Sequence, residues 1–201
     1  TQFNTTITGV ADGSTTTLQW NVTNETCNDD IIVTVANNDF SLSAGADQHL
    51  CSNQTYLNGD LPAPGTGYWT IISGSAVIVD TLDPNTLVVD LGYGCSVFRW
   101  TVTINGCTNS DDVTICNNLP SPALITGPID TETCNGTATL TANYPLPYYA
   151  DNQYWELISG NATFNDPVTD FTVDVSNLAP GNNIFKWAIV RSTCAESEDF
   201  I

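Results

Sequence analysis

Positively charged side chains are almost missing from this chain. Lysine and arginine together number 3, against 22 aspartates and glutamates, and the net charge is −19. A phosphate backbone would be repelled by such a chain, which excludes nucleic acid as a partner. An anionic membrane surface is an equally poor partner. The acidic residues are scattered rather than clustered in a tail, so the pattern indicates a solvated acidic surface.

The chain also lacks long hydrophobic runs and the usual catalytic or zinc-binding motifs. No run of about 18 apolar residues occurs, so this segment has no membrane insertion. It has seven cysteines but no Cys-x-x-Cys motif and a single histidine, His49, which argues against zinc. His49 has no serine or cysteine partner at a recognisable spacing, and no acidic pair stands in a glycosidase context. We therefore expect no enzyme and no cofactor.

What the chain does contain is a repeated strand signature. In residues 97–104 (Val-Phe-Arg-Trp-Thr-Val-Thr-Ile), apolar and polar side chains alternate with the period of a half-buried strand. The dipeptide Asn105-Gly106 follows and favours a two-residue turn. A cysteine stands seven residues after the tryptophan of this segment, and the spacing recurs three times: Trp20 and Cys27, Trp100 and Cys107, Trp187 and Cys194.

The repeat spacing predicts three units. Residues 1–38 are the C-terminal half of a truncated repeat, 39–118 a complete repeat, and 119–201 a repeat truncated in its last strand. The complete repeat has seven short segments with strand character, the first near residues 40–43, separated by turns rich in glycine and proline. This pattern predicts an all-β fold of tandem immunoglobulin-like antiparallel β-sandwiches in a linear array. We expect the natural protein to extend beyond the N-terminal residue.

The tryptophans of these units are predicted to lie in the cores, because each is in phase with aliphatic neighbours along its strand. An aromatic platform for a ligand is the alternative interpretation. The predicted core tryptophans are Trp20, Trp69, Trp100, Trp155 and Trp187.

Cysteines at recurring positions in small domains indicate disulfides and an extracellular location. Each full repeat has one cysteine before its second strand and one after its sixth, which predicts the bridges Cys51–Cys107 and Cys134–Cys194. Cys27 then has no partner within the fragment.

The hairpin register predicts a third bridge. If Asn105-Gly106 is a two-residue turn, Cys95 and Cys116 lie directly opposite each other. A conflict remains for Cys51 and Cys107, because immunoglobulin strand order puts them toward opposite ends of a sandwich, and a bridge needs Cα atoms within about 7 Å. Cys51–Cys95 is the competing pair.

The combination of motifs carries a resemblance. It consists of Ala-Gly-Ala-Asp-Gln at 44–48, Gly-Tyr-Trp-Thr-Ile-Ile-Ser-Gly at 67–74, Asp-Pro-Asn at 83–85, Phe-Arg-Trp-Thr-Val at 98–102 and Asn-Gly-Cys at 105–107. It resembles the PKD-like, immunoglobulin-like repeats of large Bacteroidetes cell-surface adhesins, among them gliding-motility and biofilm proteins exported by type IX secretion. The resemblance implies a tandem β-sandwich stalk on the cell surface, with neighbouring repeats, surface polysaccharide or other surface proteins as partners.

Paired acidic residues recur after the strands that carry the tryptophan and cysteine spacing, and they are the candidates for a metal site. Clustered carboxylates suit calcium, which could stiffen a stalk between repeats. Edge strands protected by charge are the alternative explanation. The calcium candidates are Asp29, Asp30, Asp111, Asp112, Glu198 and Asp199.

Three functions are compatible with these patterns. The first is a structural and adhesive stalk segment of a large secreted surface protein. The second is a spacer or carbohydrate-binding module of a secreted enzyme, which predicts exposed aromatic residues in a row. The third is a self-assembling extracellular fibre or sheath, which predicts exposed apolar residues or unpaired strands.

Overall fold

The computed structural model describes residues 4–127, 132–146 and 151–201. Within these ranges the regular elements are all strands, and no helix is present that could cross a membrane. The strands are β1 (Thr15–Asn24), β2 (Cys27–Ala36), β3 (Gln48–Leu50), β4 (Thr55–Tyr56), β5 (Thr66–Ser73), β6 (Val77–Ile78), β7 (Leu87–Val89), β8 (Gly94–Ile104), β9 (Cys107–Asn117), β10 (Ala138–Thr141), β11 (Asn152–Ser159), β12 (Thr163–Phe164), β13 (Thr172–Ser176), β14 (Ile184–Val190) and β15 (Ser197–Phe200).

Strands β1 and β2 form a two-stranded antiparallel sheet, called here the hairpin. β1 is rich in threonine and β2 in isoleucine and valine, and such β-branched residues favour extended backbone. The turn holds Glu25 at a φ of 45°, a left-handed conformation. Trp20 lies on this hairpin and is 48% exposed, so its predicted place in a core is wrong. No second sheet covers the hairpin within the described residues, so the indole lacks the opposite layer that a sandwich would supply.

Strands β3 to β9 form the first sandwich. One sheet has the order β3-β9-β8-β5 and the other β4-β7-β6. The chain crosses between the two sheets several times, from β3 to β4, β4 to β5, β5 to β6 and β7 to β8, as in immunoglobulin domains. The first strand is not at residues 40–43 as predicted. It is β3, and it pairs in parallel with β9.

Strands β10 to β15 form the second sandwich, with sheets in the order β10-β13-β12 and β11-β14-β15. These orders match β4-β7-β6 and β9-β8-β5 of the first sandwich. The chain is therefore an all-β, tandem immunoglobulin-like array, as the repeat pattern predicts.

A pair of tryptophans anchors each core. Trp69 of β5 lies opposite Trp100 of β8, with ring centroids 5.0 Å apart, and both side chains are buried. Trp155 and Trp187 repeat the pair in the second sandwich, at 5.1 Å. The indole N–H of Trp100 donates to the Asp60 carbonyl at 2.6 Å, so the buried polar atom is satisfied. For these four tryptophans the prediction of core packing is confirmed.

Replacing the core tryptophan should strongly destabilise the first sandwich, whereas replacing an exposed aromatic residue of β5 should not. For Trp100→Ala we expect a loss of about 3–5 kcal/mol in the free energy of unfolding, because the change leaves a cavity in a closed core. The matched control is Tyr68→Ala on β5, where the side chain is 47% exposed and the expected loss is below about 1 kcal/mol. Urea unfolding followed by circular dichroism measures both. Equal losses would contradict the assignment of the core.

Candidate functional site

Each sandwich has a leading end, where the chain enters it, and a trailing end, where the chain leaves. In the first sandwich the chain enters alongside β9 and in the same direction. The main-chain N–H of Ala44 donates to Asp111 at 2.9 Å, and Leu50 further along pairs with Asn117 at the end of β9. The β8–β9 turn is therefore at the leading end, and the segment just after β3 is at the trailing end.

The second sandwich has the same direction. The N–H of Ala123 donates to the Ser197 hydroxyl at 2.8 Å, and the N–H of Ile125 donates to Asp199 at 2.7 Å. The entering chain thus runs parallel to β15, and the β14–β15 turn is at the leading end. Asp199 is equivalent to Asp111, because each lies opposite the tryptophan of the neighbouring strand.

This direction separates the cysteines within one sandwich. Cys51 follows β3 at the trailing end, whereas Cys107 begins β9 at the leading end. Cys107 and Asn117 are ten positions apart along β9, which is about 33 Å at roughly 3.3 Å per residue. A disulfide tolerates no more than about 7 Å between Cα atoms. The predicted Cys51–Cys107 bridge is therefore wrong.

The structure instead joins Cys51 of the first sandwich to Cys194 of the second. Their Cα atoms are 5.4 Å apart and 143 residues apart in sequence. Cys194 lies in the β14–β15 turn, where its N–H donates to the Arg191 carbonyl. The trailing end of one sandwich is thus covalently linked to the leading end of the next. The predicted Cys134–Cys194 bridge is wrong for the same geometric reason.

The predicted Cys95–Cys116 bridge is confirmed. The two residues are direct partners across β8 and β9, in the register that a two-residue turn imposes. The competing Cys51–Cys95 pair does not form. Within the described residues, the three other cysteines are exposed free thiols: Cys27, Cys107 and Cys134.

Arg99 and Lys186 occupy matching places on β8 and β14, and both are paired with carboxylates. Arg99 binds Asp112 of β9 through two hydrogen bonds of 2.7 and 2.8 Å. The Arg99 guanidinium lowers the pKa of Asp112, and the Asp112 carboxylate raises the pKa of Arg99. The pair is exposed to solvent on β8 and β9, so it contributes little to the stability of the fold.

Lys186 is buried and lies in a small charged network. Its Nζ is 2.8 Å from Glu156 and 2.9 Å from Glu196. The Tyr154 hydroxyl donates to Glu196 at 2.7 Å, and Nζ lies 5.5 Å from the centre of the Tyr154 ring. Hydrogen bonding to Glu156 and then to Glu196 raises the pKa of Lys186. Lys186 first, and Tyr154 second, lower the pKa of Glu196 below its usual 4.5.

The six calcium candidates are not brought together. They belong to three separate strand pairs, and several already have protein partners: Asp30 accepts from Gln19, Asp112 from Arg99, and Asp111 and Asp199 from main-chain N–H groups. Among residues 4–127, 132–146 and 151–201, no group of three or more His, Cys, Asp or Glu side chains is placed to hold a metal ion. Asp111 and Asp199 instead position the entering chain, a role that sequence analysis missed. The signal in the sequence was an aspartate 11 or 12 residues after the strand tryptophan, Asp111 after Trp100 and Asp199 after Trp187.

No protein-family model matches this sequence, and no curated protein matches it. Solved structures similar to the chain include an I-band fragment of titin (TM-score 0.43, 9% identity, 77% of this chain and 61% of that one). Sidekick-1 immunoglobulin domains 1–4 give a TM-score of 0.46 at 12% identity over 90% of this chain and 55% of that one. Extracellular domains 3–5 of Drosophila OTK give 0.37 at 14% identity, over 92% and 68%. The chain spans about three fifths of the length of the titin fragment.

The Lys186 network should make the second sandwich sensitive to acid. Because folding lowers the pKa of Glu196, its contribution is complete above about pH 5 and is lost as the pH falls through the lowered pKa. We expect Glu196→Gln to cost about 1–2 kcal/mol at pH 7. We also expect a smaller further loss than the unaltered chain shows between pH 5 and pH 3. Urea unfolding at each pH measures both effects.

The matched control for this experiment is Glu132→Gln, because Glu132 is exposed and outside the network. It should unfold like the unaltered chain at every pH. The same acid sensitivity in the Glu196→Gln variant would contradict the role given to this carboxylate.

Proposed function

We propose that this chain is a structural and adhesive stalk segment of a large secreted cell-surface protein. The observation that supports this proposal most directly is the Cys51–Cys194 bridge, which joins successive sandwiches end to end by a covalent bond. A single domain that works alone has no need of such a link. A rod that transmits force along its length benefits from it directly. We propose repeat boundaries of 1–38, 39–118 and 119–201.

The chemistry of the chain supports an extracellular location. Disulfides persist in oxidising compartments outside the cytosol, and this chain has two. A net charge of −19 keeps such a surface soluble and well hydrated. Neighbouring repeats of the same kind are the first partners that this arrangement implies.

The finer assignment is to an adhesin of the Bacteroidetes type, with a role in gliding motility or biofilm formation. Its support is the resemblance of the motifs at residues 44–48, 67–74 and 98–107. On this proposal the protein leaves the cell by type IX secretion and contacts surface polysaccharide or other surface proteins. The burial of Trp69, Trp100, Trp155 and Trp187 favours a stalk over a carbohydrate-binding module, since these side chains cannot serve as a platform.

The bridge also determines how the chain carries tension. A force applied at the two ends passes through the disulfide and bypasses residues 52–193. Strands β4 to β14 lie inside this closed loop. Most of both cores is therefore shielded from the force while the bridge is intact, as a mechanical stalk requires.

Single-molecule pulling from the two ends of the chain should show this shielding. Without reductant, we expect no extension from residues 52–193. In the double variant Cys51→Ser/Cys194→Ser the loop opens and adds about 430 Å, at roughly 3.5 Å for each extended residue. The Cys95–Cys116 bridge, which is intact in this variant, keeps residues 96–115 out of the extended length. The control Cys134→Ser removes a free thiol and should pull like the unaltered chain. Full extension of the unreduced chain would contradict the mechanical role.

Surface display is tested on intact cells that produce the protein. Antibodies raised against residues 39–118 should label unpermeabilised cells, with gold particles tens of nanometres from the outer surface in electron microscopy. A strain from which the coding segment is deleted is the control, and it should lose both labelling and attachment to a surface. Labelling only after permeabilisation, or unchanged attachment, would contradict the proposal.

A further inference from the structure

The three late cysteines, defined as Cys27, Cys107 and Cys194, occupy one structural position. Each lies seven residues after a strand tryptophan, at the turn of a hairpin. The residue five places after that tryptophan has a positive φ in all three hairpins: 45° at Glu25, 49° at Asn105 and 52° at Ser192. Non-glycine residues rarely adopt this conformation, so each cysteine follows a tight turn whose first central residue is left-handed.

The two early cysteines, Cys51 and Cys134, are equivalent in the same way. Each stands six residues before a buried leucine of the core, Leu57 or Leu140. The main-chain carbonyl two residues after each cysteine accepts a matching hydrogen bond. Leu91 donates to Asn53 at 2.9 Å and Leu178 donates to Gly136 at 3.1 Å. The loop that holds Cys134 therefore has the same anchor as the loop that holds Cys51.

One early cysteine and one late cysteine are already bonded in this structure, across the junction of the two sandwiches. We propose that the three exposed thiols are halves of the same bridge at further junctions. Cys134 takes the late cysteine of a sandwich that follows it. Cys107 and Cys27 each take the early cysteine of a sandwich that precedes them. This inference rests on the proposed stalk and names the partner as another repeat of the same kind.

The pairing of an early cysteine with a late cysteine of the next sandwich, called here the pairing rule, follows from the direction of the chain. The early cysteine lies at the trailing end of its sandwich and the late cysteine at the leading end of its own. In a linear array, the trailing end of one unit adjoins the leading end of the next. The only pairs that can meet are therefore an early cysteine and the late cysteine one unit further along.

The reaction is an ordinary thiol oxidation. Two thiols lose two protons and two electrons and form one S–S bond. The oxidant is a disulfide, of a small molecule or of a protein, which is reduced to two thiols by exchange. Cys27, Cys107 and Cys134 are exposed, so a disulfide oxidant can reach each of them.

A consequence is that successive bridges overlap. Cys107 and Cys134 both fall between residues 51 and 194, so each new bridge begins inside the loop closed by another. No single sandwich could then be pulled open without breaking a disulfide. The array would then have a disulfide at every junction between sandwiches rather than at one junction.

The first experiment maps the cysteines of the polypeptide that carries this sequence, isolated from cells that produce it and alkylated before digestion without reduction. We expect peptides of Cys134 linked to a cysteine that stands seven residues after a tryptophan. We expect Cys107 linked to a cysteine of the early type. If reduction leaves the polypeptide mass unchanged, the partner is in the same chain, and if the mass falls, the partner is a second copy. Alkylated thiols at both Cys107 and Cys134 would overturn the inference.

The second experiment uses the 201-residue chain in a glutathione redox buffer. In this chain Cys134 is the one early cysteine that is free, whereas Cys27 and Cys107 are both late. Every intermolecular bridge should therefore contain Cys134, and Cys134→Ser should abolish covalent oligomers. Cys27→Ser and Cys107→Ser, the matched controls, should each retain them. Oligomers of the Cys134→Ser variant joined through two late cysteines would show indiscriminate pairing and overturn the rule.

These outcomes separate the inference from the proposed function. If Cys107 and Cys134 are free thiols in a protein that antibodies still detect on the cell surface, the further cross-links are refuted and the proposed stalk function stands. If the early and late cysteines are linked as proposed in a protein that does not reach the cell surface, the stalk function is refuted and the pairing rule stands.

Discussion

Strand direction is the constraint on which the other features of this chain depend. In each sandwich the chain enters beside its last strand and parallel to it, so the last hairpin turn and the loop before the second strand lie at opposite ends. Cys51 and Cys107 are separated by the length of β9 and cannot meet. Cys51 and Cys194 can meet, because they face each other across a junction. The same constraint that forbids a bridge within a sandwich allows one between sandwiches.

Two kinds of interaction therefore act at different scales. Within a sandwich, the tryptophan pair and its apolar neighbours supply the driving force for folding, because they remove large nonpolar surfaces from water. Between sandwiches, the covalent bridge keeps the trailing end of one folded sandwich close to the leading end of the next. The Cys95–Cys116 bridge belongs to the first kind, since it joins neighbouring strands of one sheet.

The charge of the chain explains why a covalent junction is useful. With 22 acidic residues and 3 basic ones, adjacent repeats repel each other, and the repulsion weakens association by surface contact alone. Arg99 and Lys186 are occupied by carboxylates inside their own sandwiches. A disulfide is insensitive to this repulsion once formed. It holds the junction at any ionic strength at which the sandwiches remain folded.

Local patterns in the sequence were sufficient to predict most strands of the complete repeat, though not its first, and the Cys95–Cys116 bridge. Both depend on alternation and on a two-residue turn, which act over a few residues. The partners of Cys51 and Cys194 depend on which ends of two sandwiches adjoin, and no local pattern contains that information. The conflict over Cys51 and Cys107 was visible in the strand order, but the order alone names no alternative partner in another repeat. Trp20 shows the same limit, because burial requires a covering sheet that the hairpin lacks among the described residues.

The central claim is that the bridge joins neighbouring sandwiches and not the two ends of one. The most direct measurement is a disulfide map of the unreduced 201-residue chain, digested with proteases that cleave at acidic residues, since three basic residues leave trypsin few sites. The account predicts a peptide of Cys51 linked to a peptide of Cys194, with Cys95 linked to Cys116. Cys51 linked to Cys107 or to Cys95 would contradict it.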